Sequence, residues 1–178
     1  MPIIWIVGFR GTGKTSVGRA LAARTGLRFV DTDDRIQDVE QMTVAEIFER
    51  KGEPHFRIAE QQVILQLATE GKNLVVAAGG GACGHESNVV AMRQSGTVVL
   101  LTASSDEIEK RLADDSATAD QRPALTDQPS TRDEIVFLLN EREPDYRKAA
   151  HIVIDTTYIP VEQAVASILK ELRKRRHR

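Results

Sequence analysis

The sequence predicts an α/β fold in which a parallel sheet carries helices on both faces. Three observations predict it. Apolar runs alternate with helical patterns along the whole chain. The first run, Ile3-Ile4-Trp5-Ile6-Val7, is unbroken, as in a strand covered on both faces. A glycine-rich loop then joins that run directly to the first helical pattern.

The elements follow in order. Val17, Ala20 and Leu21 recur at helical spacing and predict a helix over 15–24. Arg28-Phe29-Val30 reads as a short second strand. Thr43 and Glu46 have the spacing of a capping box and open a helix through Arg50. Residues 54–70 predict a further helix with Ile58, Val63, Ile64 and Leu67 on its inner face. Residues 74–78 and 97–101 are strands, and Ser104 or Ser105 caps a helix through Ala113. Thr131 and Glu134 repeat the capping-box spacing before a helix towards Lys148. Residues 151–154 form a fifth strand, and Pro160 starts the last helix. Residues 114–130 are polar, hold two prolines and lack periodicity, the mark of a long loop with a functional task.

A chain of 178 residues is about one domain, and no internal repeat or linker divides it. Hydrophobic residues are 41% and charged residues 28%, which excludes disorder and fibrous classes. The single cysteine excludes a disulfide framework. Apolar runs stop far short of the roughly 20 residues of a membrane span. No secretory signal is visible, so a cytoplasmic location is expected. The net charge of −2 is unevenly placed, because residues 173–178 carry five of the 24 basic side chains. Without that tail 19 bases face 26 acids, so the body offers no basic surface for nucleic acid. The tail reads as a solvated helix end that complements the helix dipole.

Gly8-Phe9-Arg10-Gly11-Thr12-Gly13-Lys14-Thr15 is the strongest motif. It is the G-x-x-x-x-G-K-[ST] pattern of a P-loop, with the strand before it and the helix after it that the motif requires. Its glycines let backbone N–H groups close around phosphate oxygens, and the helix N-terminus adds positive potential. Lys14 reaches the outer phosphates, and Thr15 offers a hydroxyl to Mg²⁺. The metal needs an acid, and the strand over 74–78 runs into Gly79-Gly80-Gly81 instead of one. Asp31-Thr32-Asp33-Asp34 follows the second strand, at the edge where open α/β sheets bind ligands. In an extended segment Asp31 and Asp33 share a side. One of them would serve the metal and the other an acceptor hydroxyl, with Asp34 left as a helix cap. The glycine run would bring backbone N–H donors close to a ligand. Cys83 reads as a small packed residue, and none of the four histidines has metal-ligand spacing.

Taken together, the P-loop, Asp31-Thr32-Asp33, Gly52-Glu53-x-x-Phe56-Arg57, Gly79-Gly80-Gly81, Arg122-Pro123-x-Leu125 and Arg142-x-x-x-Tyr146-Arg147 resemble the shikimate kinase family. The resemblance runs from about residue 3 to about residue 170. It implies a P-loop kinase fold with a five-stranded parallel sheet and a mobile lid over about residues 112–130. It implies transfer of the γ-phosphoryl of ATP to the 3-hydroxyl of shikimate, with Mg²⁺, by a cytoplasmic monomer that needs no nucleic acid or membrane. The catalytic residues would be Lys14, Asp33 and Arg122, with Asp33 meeting the reacting hydroxyl and Arg122 riding on the lid. ATP would be held by Gly11, Thr12, Gly13, Lys14, Thr15, Ser16, Arg111 and Arg122, with Arg111 and the loop before Pro160 near adenine. Arg57 and Arg142 would hold the acceptor carboxylate beside Gly79, Gly80 and Gly81. Thr15 and Asp31 would support the metal. Arg10 and the polar stretch Ala82-Cys83-Gly84-His85-Glu86 depart from the common pattern. A sister kinase for gluconate or a nucleotide would keep the P-loop without Arg57, the glycine run and Arg142 together. A regulatory nucleotide-binding module would have lost Lys14, Asp33 or Arg122.

Overall fold

Continuous apolar runs can be satisfied only between two layers of helices, and the sheet obeys this. The structure, a computed structural model, describes residues 3–114 and 130–176. Five strands, β1 (Ile3–Val7), β2 (Arg28–Asp31), β3 (Leu74–Ala77), β4 (Gly96–Thr102) and β5 (Ile152–Asp155), form one parallel sheet in the order β2-β3-β1-β4-β5. Ile3, Trp5 and Val7 enter one core with residues of the long helices, and Ile4 and Ile6 enter the other. That split is the two-residue period of a strand buried on both faces.

The helices are α1 (Lys14–Thr25), α2 (Thr32–Glu40), α3 (Val44–Glu70), α4 (Glu86–Ser95), α5 (Ser105–Asp114), α6 (Thr131–Ala149) and α7 (Val161–Arg176). Thr43 and Glu46 form the expected capping box at the start of α3. The two helices read over this stretch are the arms of α3, broken at Gly52, whose φ of 82° suits a glycine.

Several sequence readings are corrected. Residues 32–34 are not extended: α2 begins at Thr32, and Asp31, not Asp34, caps it by accepting the Asp33 N–H at 3.0 Å. The helix after residue 130 is capped by Ser130 rather than Thr131, since the Ser130 hydroxyl accepts the Asp133 N–H at 3.1 Å. Ile58 is 56% exposed and lies outside the inner face, where Ala59 and Glu60 stand instead. A short 3₁₀ turn (Ala82–Gly84) and α4 follow the glycine run, in a stretch too polar to read as helical. Among the described residues no helix is long and apolar enough to cross a membrane.

Strand register sets the height of the site. Ile6 and Asp31 both pair with Ala77, so the loops after β1, β2 and β3 leave the sheet at one level. The Thr32 hydroxyl accepts the Gly79 N–H at 2.9 Å and ties two of these loops together.

Candidate active site

The loop between β1 and α1 is closed on a single oxygen. The Phe9 carbonyl accepts the Thr12 N–H at 3.3 Å, the Thr12 hydroxyl at 2.7 Å and the Lys14 ammonium at 2.9 Å. Gly13 sits at φ 91°, a conformation that suits glycine and lets α1 begin at Lys14. Gly11, Gly13, Lys14, Thr15 and Ser16 line a cavity of about 720 Å³, room for a nucleotide and a small second substrate. Thr12 differs from the other loop residues, because its side chain is buried in support of the loop rather than facing that cavity.

The carboxylates stand opposite the loop. The Thr15 hydroxyl donates to Asp31 Oδ2 at 2.9 Å, which brings the two expected metal-supporting residues together. Asp33 enters the same cavity from the first turn of α2. Its Oδ1 is buried with no hydrogen-bond partner among the described residues. Burial, the Asp31 carboxylate and the Glu60 carboxylate together push the Asp33 carboxyl up to about 7, against the pull of Lys14 and Arg57. Burial pushes the Lys14 ammonium down, while Asp33 and Asp31 oppose the shift.

Arg57 and Arg142 arrive from α3 and α6, and the glycine run lets them do so. A Cβ on Gly81 would lie 2.3 Å from Arg57 Nη1, so the guanidinium occupies the space a side chain would need. A Cβ on Gly79 would meet Glu60 Oε1 at 2.6 Å and Asp33 Oδ1 at 2.7 Å. Arg142 Nη1 donates to the Gly80 carbonyl at 3.4 Å. Arg57 is held by Glu53 at 2.8 Å and by Glu60 at 3.0 Å.

Glu60 is a residue that sequence reasoning missed. It is 0% exposed, and its only sequence signal is that it stands three places after Arg57 on one helix. Burial pushes its carboxyl up, and Arg57 opposes this. Phe48, Phe56 and Gln37 also line the cavity, and Phe48 packs on Phe56 with centroids 5.0 Å apart. Arg10 was left without a role in the sequence, and it bonds Glu134 at 2.6 Å, linking the phosphate loop to α6.

Arg111 lines the cavity from α5. Its guanidinium donates to the Gly11 carbonyl at 3.3 Å and the Thr156 carbonyl at 2.6 Å, joining α5 to the loop before Pro160. Arg122, Pro123 and Leu125, expected on a lid, lie outside the described residues. Six basic and four acidic side chains line the cavity of a chain whose net charge is −2. That excess suits two anionic ligands.

With its phosphate loop after the central strand and its order β2-β3-β1-β4-β5, the domain is a P-loop kinase. Residues 10–173 match the family described as shikimate kinase. A relative named shikimate kinase 2 from Yersinia enterocolitica is 46% identical over 166 residues, 93% of this chain and 92% of that protein. A shikimate kinase from Acinetobacter baumannii, solved in complex with shikimate, superposes with a TM-score of 0.90 at 34% identity, over 98% of this chain and 94% of that one. A shikimate kinase structure from Bacteroides thetaiotaomicron gives a TM-score of 0.84 at 30% identity, over 97% and 98% of the two chains. The chain belongs to the shikimate kinase family.

Proposed function

We propose that this enzyme transfers the γ-phosphoryl of ATP to the 3-hydroxyl of shikimate, giving shikimate 3-phosphate and ADP on the route to chorismate and the aromatic amino acids. One observation carries the reading. The Asp33 carboxyl lines the same cavity as Lys14 and Thr15 of the phosphate loop, where an acceptor hydroxyl can meet it. Asp33 orients the acceptor hydroxyl and takes its proton as the new O–P bond forms and the bond to the β-phosphate oxygen breaks. Lys14 and the loop N–H groups hold the outer phosphates. Arg57 and Arg142 hold the acceptor carboxylate beside the glycine run. Arg111 and the loop before Pro160 flank the adenine.

The Thr15 hydroxyl and the Asp31 carboxylate are hard oxygen donors side by side, a set that fits Mg²⁺ when phosphate and water complete the shell. They would hold the ion, which supplies charge neutralisation at the phosphates. The enzyme works as a cytoplasmic monomer on two small molecules, without a nucleic-acid or membrane partner. An ADP-release assay across shikimate, quinate, gluconate and nucleoside monophosphates tests the reading. Turnover confined to one of the last two classes would overturn it.

The acceptor arginines give a further expectation. A hydrogen bond to a charged group contributes roughly 1.5–3 kcal/mol. Replacing Arg57 or Arg142 by alanine should weaken shikimate binding about 10- to 150-fold on that scale, with ATP affinity nearly unchanged. Calorimetric titration of both ligands checks this, and normal shikimate affinity in both variants would sink the assignment. Arg57→Ala also leaves Glu60 buried without its cation, so that variant should lose stability as well.

A further inference from the structure

Helix α6 carries Glu134, Leu138, Arg142 and Tyr146 at intervals of four, so they form one stripe along it. Tyr146 is only 4% exposed, and its hydroxyl donates to the Gly80 carbonyl. We propose that Tyr146 is a positioning residue for the acceptor: by pinning the Gly80 carbonyl it turns the Gly81 N–H into the substrate cavity. The inference rests on the acceptor reading given above.

The geometry of the glycine run carries it. A trans peptide is planar, so its carbonyl and the next N–H point in opposite directions. Tyr146, on α6, does not line the main cavity; it lines two smaller ones, one of which Gly80 and Gly81 also line. A Gly80 carbonyl aimed at Tyr146 therefore aims the Gly81 N–H away from α6. The neighbouring groups are already engaged. The Gly79 carbonyl accepts the Ala82 N–H at 3.1 Å, the Gly81 carbonyl accepts the Gly84 N–H at 3.0 Å, and the Gly79 N–H donates to Thr32 at 2.9 Å. Among the described residues no hydrogen bond engages the Gly80 or Gly81 N–H, and both residues line the main cavity.

A peptide with glycine on both sides has little conformational preference of its own. If the Gly80–Gly81 peptide flipped, it would present a carbonyl oxygen to the acceptor carboxylate in place of a donor. The contact from Arg142 to the same oxygen is 3.4 Å long, and that guanidinium is assigned to the acceptor. Tyr146 is then the group that holds the peptide throughout the cycle. Burial pushes its hydroxyl up from the usual range, so it stays a donor at any working pH.

Tyr146→Phe keeps the buried ring and removes the hydroxyl, with its bond to Gly80 and its contact with Arg142. By calorimetry it should weaken shikimate binding about 5- to 20-fold, the scale of one hydrogen bond. The uncharged methyl ester of shikimate should lose much less, ATP affinity should hold, and Tm should stay near the wild-type value. Unchanged shikimate affinity, or equal weakening of acid and ester, overturns the inference. The wild-type protein supplies a second test that needs no variant. Its Gly81 amide resonance should shift when shikimate is added. Shikimate binding with a silent Gly81 amide overturns this inference alone, whereas no shikimate binding by the wild type overturns the acceptor reading beneath it.

Discussion

Asp33→Asn is expected to lower kcat by at least about 100-fold, the lower end of what a positioned general base contributes. Asparagine keeps the shape and can still touch the hydroxyl, but it cannot take the proton. MgATP binding should survive, because Lys14, Thr15 and Asp31 are untouched. Steady-state kinetics with both substrates varied will check it, and a loss below about 10-fold would remove Asp33 from the role of base.

The same substitution should act in the opposite direction on stability. The folded Asp33 carboxyl lies at about 7 against an ordinary value of 3.8, so the folded state holds its proton the more tightly. The stability this group contributes is fully present below about pH 4 and is lost as pH rises through about 7. Above pH 7 the wild type carries a buried charge that asparagine lacks. At pH 8, with chelator and without nucleotide, Asp33→Asn should therefore be more stable than wild type, by up to about 4 kcal/mol. The gap should shrink towards pH 4. Denaturant unfolding of both proteins at pH 5 and pH 8 measures it, and a gap that grows towards acid pH would contradict the assignment.

Lys14→Met is expected to lower kcat by about 10²- to 10³-fold, as when a preorganised group facing transition-state charge is removed. Methionine retains much of the stem and discards the ammonium, so packing around the loop should survive. The lost charge is the one that opposes Asp31 and Asp33 across the cavity. Arginine should not restore activity. Its planar fork cannot take the place of a compact ammonium bonded to the Phe9 carbonyl at 2.9 Å. Single-turnover quench experiments separate the chemical step from binding, and a chemical rate within 10-fold of wild type would refute the role (about 1.4 kcal/mol).

The two halves of the site differed in how far the sequence could be read. The phosphate loop is contiguous, and its glycines, lysine and threonine answer to local backbone geometry. The loop pattern and the strand before it are visible in the sequence alone, and Gly13 takes the φ of 91° that such a loop asks of a glycine. Asp31 to Asp34 were harder, because a carboxylate after a strand is equally a ligand and a helix cap. Asp31 caps α2 and also accepts from the Thr15 hydroxyl. Arg57 and Arg142 became readable only through the family pattern, since no local rule joins positions on α3 and α6. Glu60 was illegible for a related reason. A glutamate on a charged helix reads as solvated, and only the tertiary fold buries it against Arg57. Ser130 displaced Thr131 as a cap because both residues can serve and the backbone chooses between them.

Between α2 and both arms of α3 lies a small core of its own. Ile36, Ile47, Phe56, Ala59 and Val63 cluster there, apart from the two cores that clasp the sheet. The Gly52 break lies at its edge. Units of this kind open at a lower free energy than the structure they lean on, and exchange their amide hydrogens sooner. Phe48 and Phe56, which line the cavity, belong to that core, while the phosphate loop springs from the central strand. The helical cheek should therefore exchange its amide hydrogens before the strand that carries the phosphate loop. Substitutions at Ile36, Ile47, Ala59 or Val63, which lie behind the lining residues, should tune that exchange without changing the cavity wall.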